Sequence, residues 1–581
     1  MKAYGFLGIM ALGWLVACQS NRSGSQKPEE GYEQHGPSHL ICRAEPTDKA
    51  WYSSGQKAPL FEGLGTIHYA ITTKNPETQR YFDQGLMLAY GFNHAEAARS
   101  FFEAIRQDST CAMAYWGFAY VLGPNYNAGM EPDNYERAYE AIQKALQYTR
   151  NATERERMLI NAMAKRYPAQ PVADRKPFDS AYSKAMKTVA SRFPDDVDIA
   201  AWYAESLMDL HPWDLWEKNG QPKAWTPEIV GLLESWLARK PAHPGLHHFY
   251  IHVVEASKTP QRALKSAEVL GKLAPNAGHL VHMPSHIYIR TGHYHEGSLA
   301  NERAVMVDTA YLAACHAQGS YPLALYPHNF HFLAATATLE GNSERALKAA
   351  WKVAENTKWK LMNESGWSTL QHYYTIPYYV AVKFRKWDEI LAWTASDTVR
   401  LAYPTAVRHY ARGMAYVGKS QLEKAKSELR YLERLAADPA LEAVTIWELN
   451  SVASLLQIAR RVLNAEILAQ ESQLSRSIAQ LKEAVALEDQ LNYNEPPDWF
   501  FSVRHHLGAV LLKARQWPEA ERIYAEDLQE LPNNGWALSG LYKAQLAQGK
   551  TALANQTRQR TQLAWHWADK ELFATALNPV L

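Results

Sequence analysis

From about residue 78 to residue 564, apolar side chains recur every three or four positions, the spacing that lines one face of an α-helix. Short polar turns separate these runs, and small residues repeat with them. Tyr81-x-x-x-Gly85-x-x-Leu88 is followed by Ala97-x-x-x-Phe101-x-x-Ala104. Gly85 and Ala97 stand where two helices would cross closely, while Phe101 and Ala104 fill the second helix. Similar units run through Ile287 to Arg290 before Gly292, Leu333 to Leu339 before Gly341, Gly413 to Leu429 before Pro439, and Gly508 to Tyr524 before Pro532. The pattern predicts helix pairs stacked in series, each burying its apolar face only against its neighbours. A chain of 581 residues with 19 Trp and 32 Tyr exceeds one ordinary core, and stacking removes that difficulty. Three stretches interrupt the array, at 123–130, 211–227 and 492–500. Rich in Gly, Pro, Asn and aromatic residues, they are expected to be loops whose rings pack back onto a concave surface.

The unit around Tyr81 to Ala104 resembles the tetratricopeptide repeat, with its period of about 34 residues. Phe92 to Phe101, Cys111 to Gly117, His282-Met283-Pro284-Ser285-His286-Ile287, His328-Asn329-Phe330-His331 and Asn534 to Leu538 resemble a family of large bacterial tetratricopeptide-repeat proteins, many of them lipoproteins. The resemblance implies an all-α fold, a right-handed α-solenoid with long inter-helix insertions over residues 51–581. It brings no activity with it.

The N-terminus addresses the compartment. Ala3 to Leu15 is mostly apolar and ends in Leu15-Val16-Ala17-Cys18. It is too short for a membrane span and resembles the lipobox of bacterial lipoproteins. That resemblance implies a signal peptide at 1–17, cleavage before Cys18 and acylation of Cys18, with membrane lipid as the partner. Gln19 is not the inner-membrane retention residue, so the expected place is the outer membrane, on its periplasmic side. The polar run that follows is a flexible tether, assigned to 18–50. Charge is balanced, 61 Lys plus Arg against 60 Asp plus Glu, and no basic stripe speaks for a nucleic-acid partner. Cys42, Cys111 and Cys315 remain. Cys111 falls in an apolar helical pattern and is expected to be buried, and whether Cys42 and Cys315 pair is open.

Histidine changes the picture. Twelve of the 22 histidines lie in the central segment 243–331. They read His247-His248-x-x-x-His252, His279-x-x-His282-x-x-x-His286 and His328-x-x-His331. Residues three or four apart share a helix face, so each group presents imidazoles to one side. Pro284 belongs in a first helical turn and places His282 at a rim. His279 and His328 are 49 residues apart, as are His282 and His331, which suggests matching places on successive units. His248, His252, His279, His282, His286, His328 and His331 are therefore the expected metal ligands, for zinc, copper or iron. Glu255 and Glu302 are expected to orient them. His68, His94 and Glu96 are candidates for the same concavity. Two alternatives stand beside a metal site. One is a metal-free scaffold whose groove binds peptides or envelope proteins. The other is a metal-dependent hydrolase or redox enzyme. No Gly-x-Ser-x-Gly elbow, phosphate loop or Cys-x-x-Cys-His haem motif is present.

Overall fold

The computed structural model describes residues 48–315, 321–364, 366–394 and 399–576. The leader, Cys18, nearly all of the tether, Cys42 and His316 lie outside them. Helices follow one another in antiparallel pairs, among them Pro76–Tyr90 with His94–Gln107, Val197–Met208 with Thr226–Arg239, Ala402–Gly418 with Leu422–Ala436, and Gly535–Ala547 with Thr551–Ala564. The chain is an all-α helical-repeat fold. Strand among the described residues is confined to Thr445–Ile446 and Asn450–Ser451. None of the described helices is long and apolar enough to cross a membrane.

Local chemistry explains the starts and stops. Asn75 accepts the backbone N–H of Glu77 at 3.0 Å, with Pro76 opening the helix. Asn342 caps Ser343–Glu355 in the same way. Gly292 and Gly341 end their helices with φ of +79° and +85°, a conformation costly for other residues. Gly85 and Gly117 grip Phe101 from two sides, since a methyl on either would lie 2.8 or 2.4 Å from its ring. That is the close crossing the spacing predicts. Cys111 is a buried free thiol.

The array is not an open groove. Its C-terminal units fold back on the middle of the chain. The indole N–H groups of Trp536 and Trp565 donate to the carbonyls of Thr338 and Leu339 at 3.0 and 3.1 Å, and Tyr294 Oη donates to the carbonyl of Pro532. The apolar interior falls into two clusters, one from Trp51 to Ile287 and one from Ile289 to Ala544. They meet at the helix Pro284–Thr291, and the central histidines lie along that seam.

Candidate metal centre

Four short stretches of helix carry the site. Pro244–Glu255 supplies His248, His252 and Glu255, Gly278–His282 supplies His279 and His282, Pro284–Thr291 supplies His286, and Tyr326–Glu340 supplies His328. Backbone approach is close throughout. A methyl on Gly245 would lie 2.5 Å from the ring of Tyr90, and one on Gly278 would lie 1.8 Å from Asp308 Oδ1. Pro284 divides two helices, but Met283 between them keeps helical angles, φ −50° and ψ −35°. His282 and His286 therefore still share a face, with ring centroids 4.9 Å apart.

The histidines form two triads. In each of His248, His252, His279 and His282, His286, His328, one ligand atom per residue lies within 4.8 Å of the other two, and all six side chains are buried. The clusters are positioned to chelate metal. They also touch one another, since the rings of His252 and His286 are 5.6 Å apart and those of His279 and His282 are 5.7 Å apart.

Hydrogen bonds on the outer nitrogens decide the tautomers. His248 Nδ1 faces the Tyr90 carbonyl at 2.6 Å, an acceptor only, so Nδ1 carries the proton and Nε2 is left as a lone pair. Glu255 accepts from His252 Nδ1 at 2.7 Å with one oxygen and from His286 Nδ1 at 2.5 Å with the other. One carboxylate thus orients a histidine in each triad. The amide of Asn301 is fixed because its nitrogen donates to the Gly297 carbonyl, so its oxygen accepts from His282 Nδ1 at 2.7 Å. The inner nitrogens crowd together. His282 Nε2 is 2.9 Å from His286 Nε2, and His248 Nε2 is 3.1 Å from His279 Nε2. His252 Nε2 is buried without a hydrogen-bond partner.

Burial controls the charges. It holds His248, His279, His282 and His328 well below the ordinary histidine pKa and lowers His252, with neighbouring imidazoles adding to the effect. These rings are neutral, the state a metal ligand requires. Burial alone would raise Glu255, but His286 and the hydrogen bonds from His252 and His286 more than offset it and hold the carboxyl at about 2. Burial lifts Glu495 to about 7; Tyr493 Oη donates to it and also lies 3.3 Å from Glu255.

The other expected residues fall elsewhere. His331 lies outside the triads, stacked on Phe500 with its ring 5.8 Å from His372, and neither of its nitrogens has a partner. Glu302 is half exposed and pairs with Arg345 at 2.9 Å, so it does not orient a ligand. His68 binds Asp83 at an exposed position, and Glu96 binds Arg99 in a buried ion pair. His94 lines a cavity beside the site and meets the ring of Phe92, which packs on His248. Tyr90, Asn301 and Tyr493 were not legible as site residues, although Tyr493 lies in the aromatic loop at 492–500 that packs inward as expected.

Gly245→Ala is expected to destabilise the fold by about 1–3 kcal/mol, since the ring of Tyr90 must shift, and to weaken metal retention because that ring's residue also holds His248. Thermal melts with and without metal check it; an unchanged melting temperature in both would contradict the packing.

No protein-family model and no curated protein matches the chain. Among solved structures it is similar to the human IFIT1 dimer with m7Gppp-AAAA, at 12% identity and a TM-score of 0.30, covering 85% of this chain and 91% of that one. It is also similar to yeast Tom70, at 10% identity and a TM-score of 0.25 over 82% and 90% of the two chains. The P58(IPK) TPR domain follows at 12% and 0.21, over 82% and 99%. These likenesses are too distant to transfer a site or an activity.

Proposed function

We propose that the protein is a tetratricopeptide-like metalloprotein whose two histidine triads hold a pair of transition-metal ions. One observation carries this reading. His282 and His286 both donate through Nδ1, to Asn301 and Glu255, yet their Nε2 atoms stand 2.9 Å apart. Two lone pairs at that distance repel unless a cation lies between them. A proton would serve two nitrogens, but the third imidazole, His328, converges on the same point, as a metal ion requires. Two nitrogens bound to one tetrahedral metal stand about 3.3 Å apart, given bonds of about 2.0–2.1 Å. The hydrogen-bonded outer nitrogens supply the partners that metal-bound histidines commonly have.

Protein purified without an affinity tag should contain two metal ions per chain by elemental analysis. In His282→Ala/His286→Ala the second triad is gone, and about one ion should remain, with helical content unchanged by circular dichroism. Protein that stays metal-free after reconstitution with zinc, copper and iron would overturn the reading.

We further propose that this core is held at the outer membrane by lipid on Cys18, as a periplasmic member of the bacterial lipoprotein group it resembles. The support is the Leu15-Val16-Ala17-Cys18 sequence. Cys18→Ser should move the protein from the membrane fraction to the soluble one, and a variant that still fractionates with membrane would rule the anchor out.

A further inference from the structure

We infer that the two triads take copper as copper(I) and bind one dioxygen molecule between the two ions. This rests on the two-metal reading above and adds the identity of the metal and of its ligand.

The donor set points to copper. All six ligands are imidazoles, and Glu255 is engaged with the outer nitrogens of His252 and His286 rather than with the inner ones. Iron sites of the open type draw on a carboxylate ligand, which neither triad provides. Charge argues the same way. Two divalent ions would bring four positive charges beside the carboxyls of Glu255 and Glu495, whereas two copper(I) ions bring two. The walls are apolar, since the Phe92 ring lies 4.5 Å from His248 and the Phe332 ring 4.4 Å from His286. Burying excess charge among such groups is costly, so the smaller charge is favoured.

Three nitrogens per ion leave an open coordination face. The triads abut through His252 with His286 and His279 with His282, so two ions held there are close neighbours. A cavity of about 100 Å³ is lined by Phe92, His94, Asn125 and Trp447. Phe92 packs on the first triad, and Trp447 lies 6.3 Å from His328 of the second. Two adjacent ions with free coordination positions suit a small ligand whose two atoms can bind one ion each. In the step itself each copper(I) gives one electron to dioxygen. The O–O bond falls from double to single without breaking, copper–oxygen bonds form to both ions, and no proton moves. The products are two copper(II) ions and one bound peroxide, and reversal returns dioxygen and copper(I).

The full-length chain, stripped of metal and loaded with copper(I) without air, should retain two ions. On admission of air it should take up one dioxygen per two copper ions. A near-ultraviolet charge-transfer band should appear with uptake, and electron paramagnetic resonance should show no isolated copper(II), because the two spins pair through the bridge. His328→Ala, checked for folding by circular dichroism, should lose dioxygen uptake at least tenfold while keeping one copper. Two coppers bound without dioxygen uptake, or oxidised to two independent copper(II) signals, would overturn the dioxygen assignment and leave the two-metal reading intact. Retention of zinc but not copper(I) would overturn the choice of metal alone. Failure to hold any metal would overturn both.

Discussion

Stripped of metal, the protein is expected to unfold as the pH is lowered from 7 to about 5. His248, His252, His279, His282 and His328 are held by burial below the ordinary histidine value of 6.5. In the unfolded chain they take protons as the pH falls through that value, while in the folded chain they stay neutral. Each therefore contributes stability that is fully present above pH 6.5 and is lost below it, until its folded pKa is reached. The loss is about 1.4 kcal/mol per pH unit for each such group. The four held well below that value, His248, His279, His282 and His328, together cost about 6 kcal/mol per unit, against a typical total stability of about 5–15 kcal/mol. His94 and His372, each held at about 3 by burial, steepen the fall. Metal bound only by the folded state adds its binding free energy, so the loaded protein should survive to lower pH. Tryptophan fluorescence and circular dichroism across this range, with and without metal, check both statements. An apoprotein that keeps its stability unchanged from pH 6.5 to 5 would show that these imidazoles already carry protons in the fold.

Glu255→Gln should remove more metal binding than its small change in shape suggests. The native carboxylate accepts from His252 with one oxygen and from His286 with the other. Glutamine has one oxygen and one NH2 in those places. Whichever histidine faces the NH2 must accept through Nδ1, which moves its proton to Nε2 and blocks the lone pair meant for metal. One triad should then fail, and the content should drop from two ions per chain to about one. Glu255→Ala removes the orienting acceptor from both triads at once. Its expected cost is about tenfold to a hundredfold in affinity at each site, and it leaves two buried N–H groups without partners, at about 1–3 kcal/mol each in stability. Metal titration of the two variants separates these outcomes. Equal, native-like stoichiometry in both would mean that Glu255 does not set the tautomers.

The sequence by itself determined the all-helical repeat class and the clustering of histidines that could hold a metal. Helical periodicity and small residues such as Gly85 depend on contacts within a unit or between neighbouring units, and such contacts leave a regular trace along the chain. The pairs His248 with His252 and His282 with His286 were legible because residues four apart on a helix meet whatever surrounds them. Glu255 was legible for the same reason, three residues from His252. Tertiary structure decided the rest. The shared 49-residue offset suggested that His328 and His331 would both join the centre, yet only His328 does; His331 meets His372 and Phe500 instead. Glu302 sits beside Asn301 in sequence, but successive helical residues point about 100° apart, so Asn301 faces His282 and Glu302 faces Arg345. Tyr90 reaches His248 from 158 residues away. The division of six histidines into two touching triads, and the carboxylate shared between them, come from how distant helices are brought side by side, and no local periodicity encodes that.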